Sequence, residues 1–292
     1  MRSSISKMDS REKNKTEKST LYLVATPIGN LADISERAKK VLSEVDFIAA
    51  EDTRNSMKLL SCYGIRKEMI SYHEHNKHES GERIVARLLN GESCAVITDA
   101  GMPAISDPGE DIVRLCADAG ITVTAVPGCS AAITALALSA LSTVRFAFEG
   151  FLPAKAQERK KRLDPLAKED RTMIFYEAPH KLKSTLEAMR EIFGDNRKIS
   201  LCRELTKLNE EIARITLSEA CEHYAKNEPR GEYVLVVEGA ECVSEYEDEL
   251  SDLSPMELVN FFESTGLSRM DAIKKAAKAR GMSKSEMYKL LI

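Results

Sequence analysis

The sequence lacks the two common motifs that bind nucleotide phosphates. No strand-like run is followed by GxGxxG, and GxxxxGK(S/T) does not occur in the 292 residues. These absences disfavour a nicotinamide cofactor and a P-loop nucleotide, because both depend on glycine-rich loops that cradle phosphate. A ligand bound by this chain should therefore carry few phosphates or none.

Paired cysteines, long apolar runs and an excess of charge are absent as well. The seven cysteines form no CxxC pair, and their odd number indicates free thiols in a reducing compartment. The longest apolar-rich run, residues 131–144, is too short and too rich in Ser and Thr to span a membrane, and the N-terminus has no apolar leader. The net charge of -4 gives no overall field for nucleic acid. We expect a cytoplasmic protein in which any basic surface is local.

After a polar tail, strand-like and helix-like segments alternate along the chain. This alternation is typical of an α/β fold with a mostly parallel sheet. Gly150 and Pro153 interrupt the pattern, which then resumes with more antiparallel character. The sequence predicts a disordered tail at 1–20, an N-terminal α/β domain at 21–150, a C-terminal α/β domain at 151–240, and an acidic linker with a basic helical appendage at 241–292.

Apolar runs predict eight strands, and apolar residues at helical spacing predict five helices. The strands are Leu21–Ala25, Val45–Ala50, Ala95–Ile97, Ile121–Val126, Thr172–Tyr176, Ile199–Cys202, Glu211–Thr216 and Tyr233–Val237, and the helices are Ile34–Leu42, Glu82–Leu89, Asp111–Ala119, Ser130–Leu141 and Lys181–Ile192.

The loop after the third predicted strand is rich in conformationally special residues. Its sequence, "TDAGMPAISDPG", holds two glycines, two prolines and two aspartates. Gly101 and Gly109 would let a ligand approach the main chain closely. Backbone N–H groups in such a turn can hold a carboxylate, while Asp99 or Asp107 can take ribose hydroxyls or an ammonium group. The structural alternative, a tight turn with Asp107 as helix cap, explains only part of this set, so we favour a ligand site.

Two further loops of this kind follow predicted strands. "ATPIGNL" follows the first strand and "VPGCSAAITA" follows the fourth, where Ser130 and Ala131 open a helix. A helix N-terminus favours a negative group. Because the carboxyl ends of parallel strands meet at one edge of a sheet, we expect the three loops to converge on one ligand.

Nine segments between Leu21 and Gly239 resemble, in order, those of the bacterial small-subunit (16S) ribosomal RNA cytidine 2'-O-methyltransferases of the tetrapyrrole methylase superfamily. They are "LYLVATPIGNLADISERA", "AEDTRNSMKLL", "HEHN", "ITDAGMPAISDPG", "VTAVPGCSAAITALALSAL", "FEGFLPAK", "IFYEAPHKL", "CRELTKLNEEI" and "GEYVLVVEG". The resemblance implies two α/β domains with S-adenosylmethionine in the cleft between them, usually in a homodimer. It also implies methylation of a cytidine 2'-hydroxyl in 16S rRNA, within the small ribosomal subunit.

The family pattern also implies which residues hold the cofactor. The loop from Asp99 to Ile105 would hold its methionine and ribose parts, and Tyr176 with the "RELTK" segment would approach from the second domain. S-adenosylmethionine carries no phosphate, in agreement with the missing phosphate motifs. The predicted cofactor-binding residues are Pro27, Gly29, Asp99, Ala100, Gly101, Ala104, Ile105, Ser130, Ala131, Tyr176 and Arg203.

A neutral ribose hydroxyl is a poor nucleophile, so a base near it should help by on the order of 10²–10⁴-fold. The candidates are Glu74 in "HEH", Glu177 in "YEAPH" and Glu204 in "RELTK". The sequence does not decide between them, and a structural ion pair with Arg203 explains Glu204 equally well. Methyl transfer does not need a metal, and we expect none.

Contact with RNA phosphates would require local basic patches. A dense basic run follows Pro153, and a second basic set lies in the C-terminal helices, where a solvated helix surface is an equally good interpretation. Neutralising the run should weaken RNA binding and flatten its salt dependence. The predicted RNA-binding residues are Lys155, Arg159, Lys160, Lys161, Arg162, Lys274, Lys275, Lys278 and Arg280.

Other function classes stay open. The same scaffold could methylate a small molecule such as a precorrin, or a protein side chain, although neither would require the basic run and appended helices. A non-catalytic RNA-binding protein could keep the fold, although it would not need Gly101 and Pro103. A Rossmann-type dehydrogenase comes third, because its glycine fingerprint is missing.

Overall fold

The computed structural model describes residues 15–240, 253–264 and 266–291, with the side chain of residue 278 left out. Residues up to Ala240 belong to one compact unit and those from Glu241 onward to a second. The disordered tail predicted at 1–20 falls mainly on residues 1–14, outside the described range, whereas Thr20 already begins a strand. The acidic residues 241–252 also lie outside it. Among the described helices, none has both the length and the apolar content that a membrane crossing requires.

A five-stranded parallel sheet occupies the first half of the larger unit. Its strands are β1 Thr20–Val24, β2 Phe47–Ala50, β3 Glu68–Ser71, β4 Cys94–Ile97 and β5 Thr122–Val126, and its helices are α1 Glu36–Glu44, α2 Thr53–Cys62, α3 Lys77–Leu89, α4 Gly109–Asp118 and α5 Ala131–Leu138. The spatial order is β3-β2-β4-β1-β5. Apolar residues are buried on both faces of this sheet, as a parallel sheet covered by helices requires.

A second, mixed sheet follows. Its strands are β6 Phe146–Phe151, β7 Thr172–Glu177, β8 Lys198–Arg203, β9 Glu211–Thr216 and β10 Tyr233–Val237, and its helices are α6 Ala156–Leu163, α7 Pro179–Phe193 and α8 Leu217–Lys226. In the order β6-β7-β10-β8-β9, only β6 and β7 run parallel. The boundary predicted between residues 150 and 151 falls inside β6, because Phe146–Phe151 pairs with β7.

Helix α5 connects the two sheets. Ala132 and Leu136 of α5 share a buried cluster with Ile174 of β7 and Val236 of β10. The helix is apolar on all sides, which suits an element packed between layers. Since α5 starts at the loop after β5, this packing fixes that loop against the second sheet.

All eight predicted strands are present with ends within two residues. The five predicted helices are present as well, although the one predicted from Glu82 already begins at Lys77. The helix predicted at Ser130–Leu141 is shorter and spans Ala131–Leu138. Strands β3 and β6 and helices α2, α6 and α8 have no counterpart among the predicted elements.

The described part of the smaller unit consists of three helices, α9 Pro255–Ser264, α10 Arg269–Ala279 and α11 Lys284–Lys289. They share a core that includes Leu258, Phe262, Ile273 and Met287. Ser283 caps α11 through a reciprocal capping box with Glu286. The predicted helical appendage is therefore helical over the residues described.

Candidate functional site

The carboxylate of Asp107 organises the loop after β4. It accepts hydrogen bonds from the backbone N–H groups of Ala104 at 3.0 Å, Ile105 at 3.2 Å and Gly109 at 2.7 Å. Ala104 and Ser106 adopt left-handed backbone conformations, with φ of 69° and 63°. Non-glycine residues rarely do so, and here the Asp107 bonds compensate for the strain. Asp107 therefore holds the tight turn that the sequence offered as an alternative to a ligand site, but it is not the helix cap: Pro108 occupies that position, and Asp107 bonds Gly109 from the residue before it.

The loops after β1, β4 and β5 are joined to one another. Thr26 and Gly101 exchange two backbone hydrogen bonds, of 2.9 and 3.1 Å. At Gly128, a methyl group would lie 2.9 Å from the Cβ of Ala25, so only glycine permits this approach of the β1 and β5 loops. Because β4, β1 and β5 are neighbours in the sheet, the three predicted loops converge as expected.

A cavity of about 650 Å³ lies beside these loops, within the larger unit. Residues of the first sheet contribute one part of its wall and residues of the second sheet the other. The lining residues are Ile28, Glu51, Thr98, Asp99, Ala100, Gly101, Met102, Ile105, Ser106, Asp107, Ser130 and Ala131, together with Phe151, Tyr176, Glu177, Ala178, Pro179, His180, Cys202, Leu205, Lys207, Glu232, Tyr233 and Val234. This volume is that of a typical small-molecule site.

The charge on the cavity wall is predominantly negative. Five carboxylates line it, at Glu51, Asp99, Asp107, Glu177 and Glu232. Of the described residues on the wall, Lys207 is the single Lys or Arg, and its ammonium is paired with Glu204 at 2.8 Å and Glu232 at 2.9 Å. Such a wall repels phosphate and attracts a cationic group.

Glu51, at the carboxyl end of β2, was not among the predicted site residues. Burial raises the pKa of its carboxyl above the ordinary value, and the charges of Asp99 and Asp107 raise it further. The Asp99 backbone N–H and His73 act in the opposite direction. The sequence does show an acidic residue directly after the apolar run at Phe47–Ala50. Its place in the site becomes clear only from the pairing of β2 with β4, which the sequence does not give.

Seven of the eleven predicted cofactor-binding residues line the cavity, namely Asp99, Ala100, Gly101, Ile105, Ser130, Ala131 and Tyr176. The other four lie behind or beside the wall. Pro27 is buried next to the bridge at Thr26, and Ala104 belongs to the turn held by Asp107. Gly29 packs so closely on Lys207 that a methyl group there would come within 2.5 Å of its Cγ. Arg203 pairs with Glu211 at 3.0 Å.

Two of the three predicted base candidates do not lie on the cavity. Glu74 is 65% exposed and pairs with Lys77 at 2.7 Å. Glu204 accepts hydrogen bonds from Lys207 and from the Glu232 backbone N–H at 2.9 Å, and the Lys207 ammonium holds its pKa below the ordinary value. These two predictions are therefore corrected, since both carboxylates serve ion pairs outside the cavity wall.

The third candidate, Glu177, lines the cavity but is only 3% exposed. Its carboxylate accepts from the Ala178 backbone N–H at 2.8 Å and from the Thr185 hydroxyl at 2.6 Å. Both oxygens thus tie the end of β7 to the first turns of α7. This arrangement indicates a structural role.

The basic run of α6 is largely neutralised. Lys155 pairs with Glu158, Lys160 with Glu191 and Arg162 with Glu149. Arg159 is only 6% exposed and donates to the Ala154 carbonyl at 3.2 Å. The members of the run thus differ: Arg159 is buried, and Lys161 is the exposed member for which the described residues supply no ion-pair partner. The RNA-binding role of the run stays a prediction.

In the smaller unit, Lys274 and Lys275 are exposed on α10, and the ammonium of Lys275 lies 5.0 Å from the ring centre of Phe262. The guanidinium of Arg280 donates to the Leu253 carbonyl. The side chain of Lys278 lies outside the described residues.

Comparison with known proteins identifies relatives of the chain. The family model described as tetrapyrrole (corrin/porphyrin) methylases matches residues 20–221. The chain is 47% identical over 276 residues to ribosomal RNA small subunit methyltransferase I of Halalkalibacterium halodurans, covering 94% of this chain and 95% of that one. It is 48% identical over 276 residues to the protein of the same name from Bacillus subtilis, covering 94% of each.

Solved structures with the same fold are more distant. Uroporphyrin-III-C-methyltransferase of Thermus thermophilus superposes with a TM-score of 0.54 at 18% identity, over 75% of this chain and 94% of that one. Diphthine synthase superposes with a TM-score of 0.60 at 12% identity, over 75% and 89%. At these identities the similarity concerns the fold alone.

Proposed function

The chain belongs to the tetrapyrrole (corrin/porphyrin) methylase family of methyltransferases, and from this premise we propose that it methylates the 2'-hydroxyl of a cytidine in 16S ribosomal RNA, with S-adenosylmethionine as donor. The predicted family and fold are confirmed. The choice of small-subunit ribosomal RNA as the methyl acceptor rests on the similarity, over 94% of the chain, to proteins named ribosomal RNA small subunit methyltransferase I. The assignment of a cytidine, and of its 2'-hydroxyl as the methylated group, rests on the resemblance of the nine sequence segments to the cytidine 2'-O-methyltransferases.

The chemistry of the cavity wall fits this donor. S-adenosylmethionine has a sulfonium, an ammonium and no phosphate, and the wall has five carboxylates with one lysine that is already paired. When bound, the donor supplies a methyl group on a sulfonium leaving group, which needs alignment more than further activation. A phosphorylated nucleotide would instead meet repulsion.

We assign donor binding to the seven predicted residues that line the cavity. Asp99 keeps its carboxylate oriented through the Asn55 amide at 3.0 Å, and Gly101 offers close access to the backbone. Tyr176 packs edge-on against Phe148, with ring centres 5.1 Å apart, and so presents a fixed aromatic wall from the second sheet. Gly29, Ala104, Pro27 and Arg203 would act indirectly by holding these loops in place.

The partner in this proposal is rRNA within the small ribosomal subunit, met in the cytoplasm by a homodimer of the chain. Lys161 on α6 and Lys274 and Lys275 on α10 are exposed cations suited to phosphate. Their positive charges would attract the RNA phosphates, which the acidic cavity wall repels. We propose no metal, because transfer between a sulfonium and an oxygen does not need one.

Mapping of ribose methylation on 16S rRNA tests the proposal. RNA is taken from cells that contain or lack the gene, digested to nucleosides and oligonucleotides, and examined by mass spectrometry. We expect one 2'-O-methylcytidine to disappear without the gene and to return when the purified chain and S-adenosylmethionine are added to small subunits. Unchanged RNA methylation, with transfer to a tetrapyrrole or a protein instead, would favour the other acceptors of this scaffold.

A further inference from the structure

Glu51 has a distinct position among the charged groups of the cavity. It follows β2 directly, and the register Ala50 to Ile97 brings it level with Thr98 at the end of β4. Its half-buried side chain lines the cavity. Asp99 and Asp107 on the β4 loop and His73 on the β3 loop are the titratable groups that act on it.

The other four cavity carboxylates are each committed to a partner. Asp107 accepts three backbone N–H bonds, and Glu177 binds Ala178 and Thr185. Glu232 pairs with Lys207, and Asp99 accepts from the Asn55 amide. Glu51 has no side-chain hydrogen-bond or ion-pair partner among the described residues, and the Asp99 backbone N–H and His73 are the nearby groups that favour its charged form.

We propose that Glu51 is the catalytic base, which receives the proton of the ribose 2'-hydroxyl. This inference rests on the proposed function and adds the identity of the base. The proton passes from the hydroxyl oxygen to a carboxylate oxygen of Glu51 while the oxygen forms its bond to the methyl carbon and the carbon–sulfur bond breaks. The electron pair of that bond leaves with the sulfur, and Glu51 returns its proton to solvent after release.

The surroundings of Glu51 suit this role. Burial and the two aspartates favour the protonated carboxyl, so the carboxylate binds a proton more strongly than an exposed glutamate would. A base whose pKa approaches the working pH is more effective in proton transfer. The neighbouring Asp52 does not compete, because Arg54 holds it through a hydrogen bond of 2.9 Å.

The variants Glu51→Gln and Glu51→Asp separate this role from donor binding. In single-turnover assays on small subunits, we expect Glu51→Gln to lower the methylation rate by about 10²-fold or more and to remove the acidic limb of the pH–rate profile. Glu51→Asp should keep that limb with a smaller loss. Affinity for S-adenosylmethionine, measured by calorimetry without RNA, should fall far less than the rate, because four other carboxylates remain on the wall. Glu82→Gln, an exposed glutamate on α3, is the control for the loss of one carboxylate.

Stability provides a second readout that does not depend on activity. The pKa of the Glu51 carboxyl is higher in the folded chain than its value of 4.5 in the unfolded chain. Protonation therefore stabilises the fold: this contribution is complete below pH 4.5 and is lost as the pH rises through the pKa of the folded state. Glu51→Gln should therefore melt at a higher temperature than wild type at neutral pH, and the difference should vanish below pH 4.5. A gain in stability with a loss of rate is expected of a functional carboxylate.

The outcomes distinguish this inference from the proposed function. A wild-type chain that leaves 16S rRNA unmodified would refute the proposed function itself. An active wild type together with an unimpaired Glu51→Gln rate would refute only the role of Glu51. A loss of donor affinity as large as the loss of rate in Glu51→Gln would also overturn it, since Glu51 would then act in donor binding. No stability gain at neutral pH would overturn it as well, since Glu51 would then be an ordinary carboxylate.

Discussion

At the scale of the residue, Asp107 determines the shape of the donor side of the cavity. One carboxylate satisfies three backbone N–H groups and holds Ala104 and Ser106 at positive φ. Buried donors left without an acceptor are costly, so this side chain stabilises a loop that would otherwise relax. The loop is therefore shaped before a ligand arrives.

Replacing Asp107 tests this preorganisation. Asp107→Ala removes both acceptor oxygens, and with them three hydrogen bonds, so it should lower the free energy of unfolding by about 1–3 kcal/mol and weaken S-adenosylmethionine binding. Asp107→Asn keeps one oxygen, which suffices for Ala104 and Gly109, and should have a smaller effect on both. Urea unfolding and calorimetry measure the two quantities. Equal effects of the two variants would contradict this account of the loop.

Glu204 makes a pH-dependent contribution to stability. The Lys207 ammonium lowers the pKa of its carboxyl, so the stabilisation is present above the unfolded value of 4.5 and is lost as pH falls through the folded value. Glu204→Gln should therefore be less stable than wild type at neutral pH, and the difference should shrink as the pH falls below 4.5. Urea unfolding at several pH values measures this, and a constant difference would argue against the Lys207 pair as its origin.

At the scale of the element, the close approach of the β1 and β5 loops depends on Gly128. Gly128→Ala would place a methyl group 2.9 Å from the Cβ of Ala25, and such overpacking costs about 1–3 kcal/mol. Donor affinity should fall with it. Gly81→Ala on α3 is the control, because its methyl group would come too close to one atom alone, at the end of the flexible Leu115 side chain, and would meet Tyr72 and Ile112 at ordinary contact distances. Equal melting temperatures for wild type and Gly128→Ala would contradict the packing described.

Helix α6 offers a sharper test of RNA contact than neutralising the whole basic run. Lys161→Gln should reduce the salt slope of RNA binding by about 1, because it removes one phosphate contact. Lys160→Gln, whose charge is already paired with Glu191, should change the slope less. Salt titrations with small-subunit RNA compare the two. A larger effect of Lys160→Gln would place the RNA on the other side of the helix.

The sequence predicts those elements whose burial leaves a clear apolar pattern. β4, "CAVI", is buried at every position and is recognised at once. β3, "EMIS", buries only Ile70 and therefore resembles a loop. The charged α6 buries Arg159, and no sequence pattern distinguishes a buried arginine from its exposed neighbours.

The candidate site was predictable where the signal was local. The glycine and proline loops after β1, β4 and β5 indicated a ligand site, and six of the seven predicted residues on the wall lie after β4 and β5. The seventh, Tyr176, was predicted from the family resemblance. The position of Glu51 beside Asp99 and Asp107 depends on contacts between distant segments, as does the hydrogen bond that Glu204 accepts from the backbone of Glu232. Strand order and side-chain pairing supply those contacts, and neither can be read from one sequence.

At the scale of the whole molecule, the cavity depends on both sheets of the larger unit. The first sheet supplies the rigid loops that carry Asp99 and Gly101, and the second sheet supplies the part of the wall that includes Tyr176 and Val234. Helix α5 holds the two parts in register through its buried residues. The smaller unit carries its own core and its own exposed lysines.

The central claim is that this acidic cavity binds S-adenosylmethionine, and calorimetric titration of the full chain tests it most directly. We predict one donor molecule per chain, no binding of ATP, and at least tenfold weaker donor binding by Ala131→Leu, since a larger side chain would project from the wall; a tenfold loss corresponds to about 1.4 kcal/mol. Absence of donor binding by the wild type, or unchanged affinity in Ala131→Leu, would contradict it.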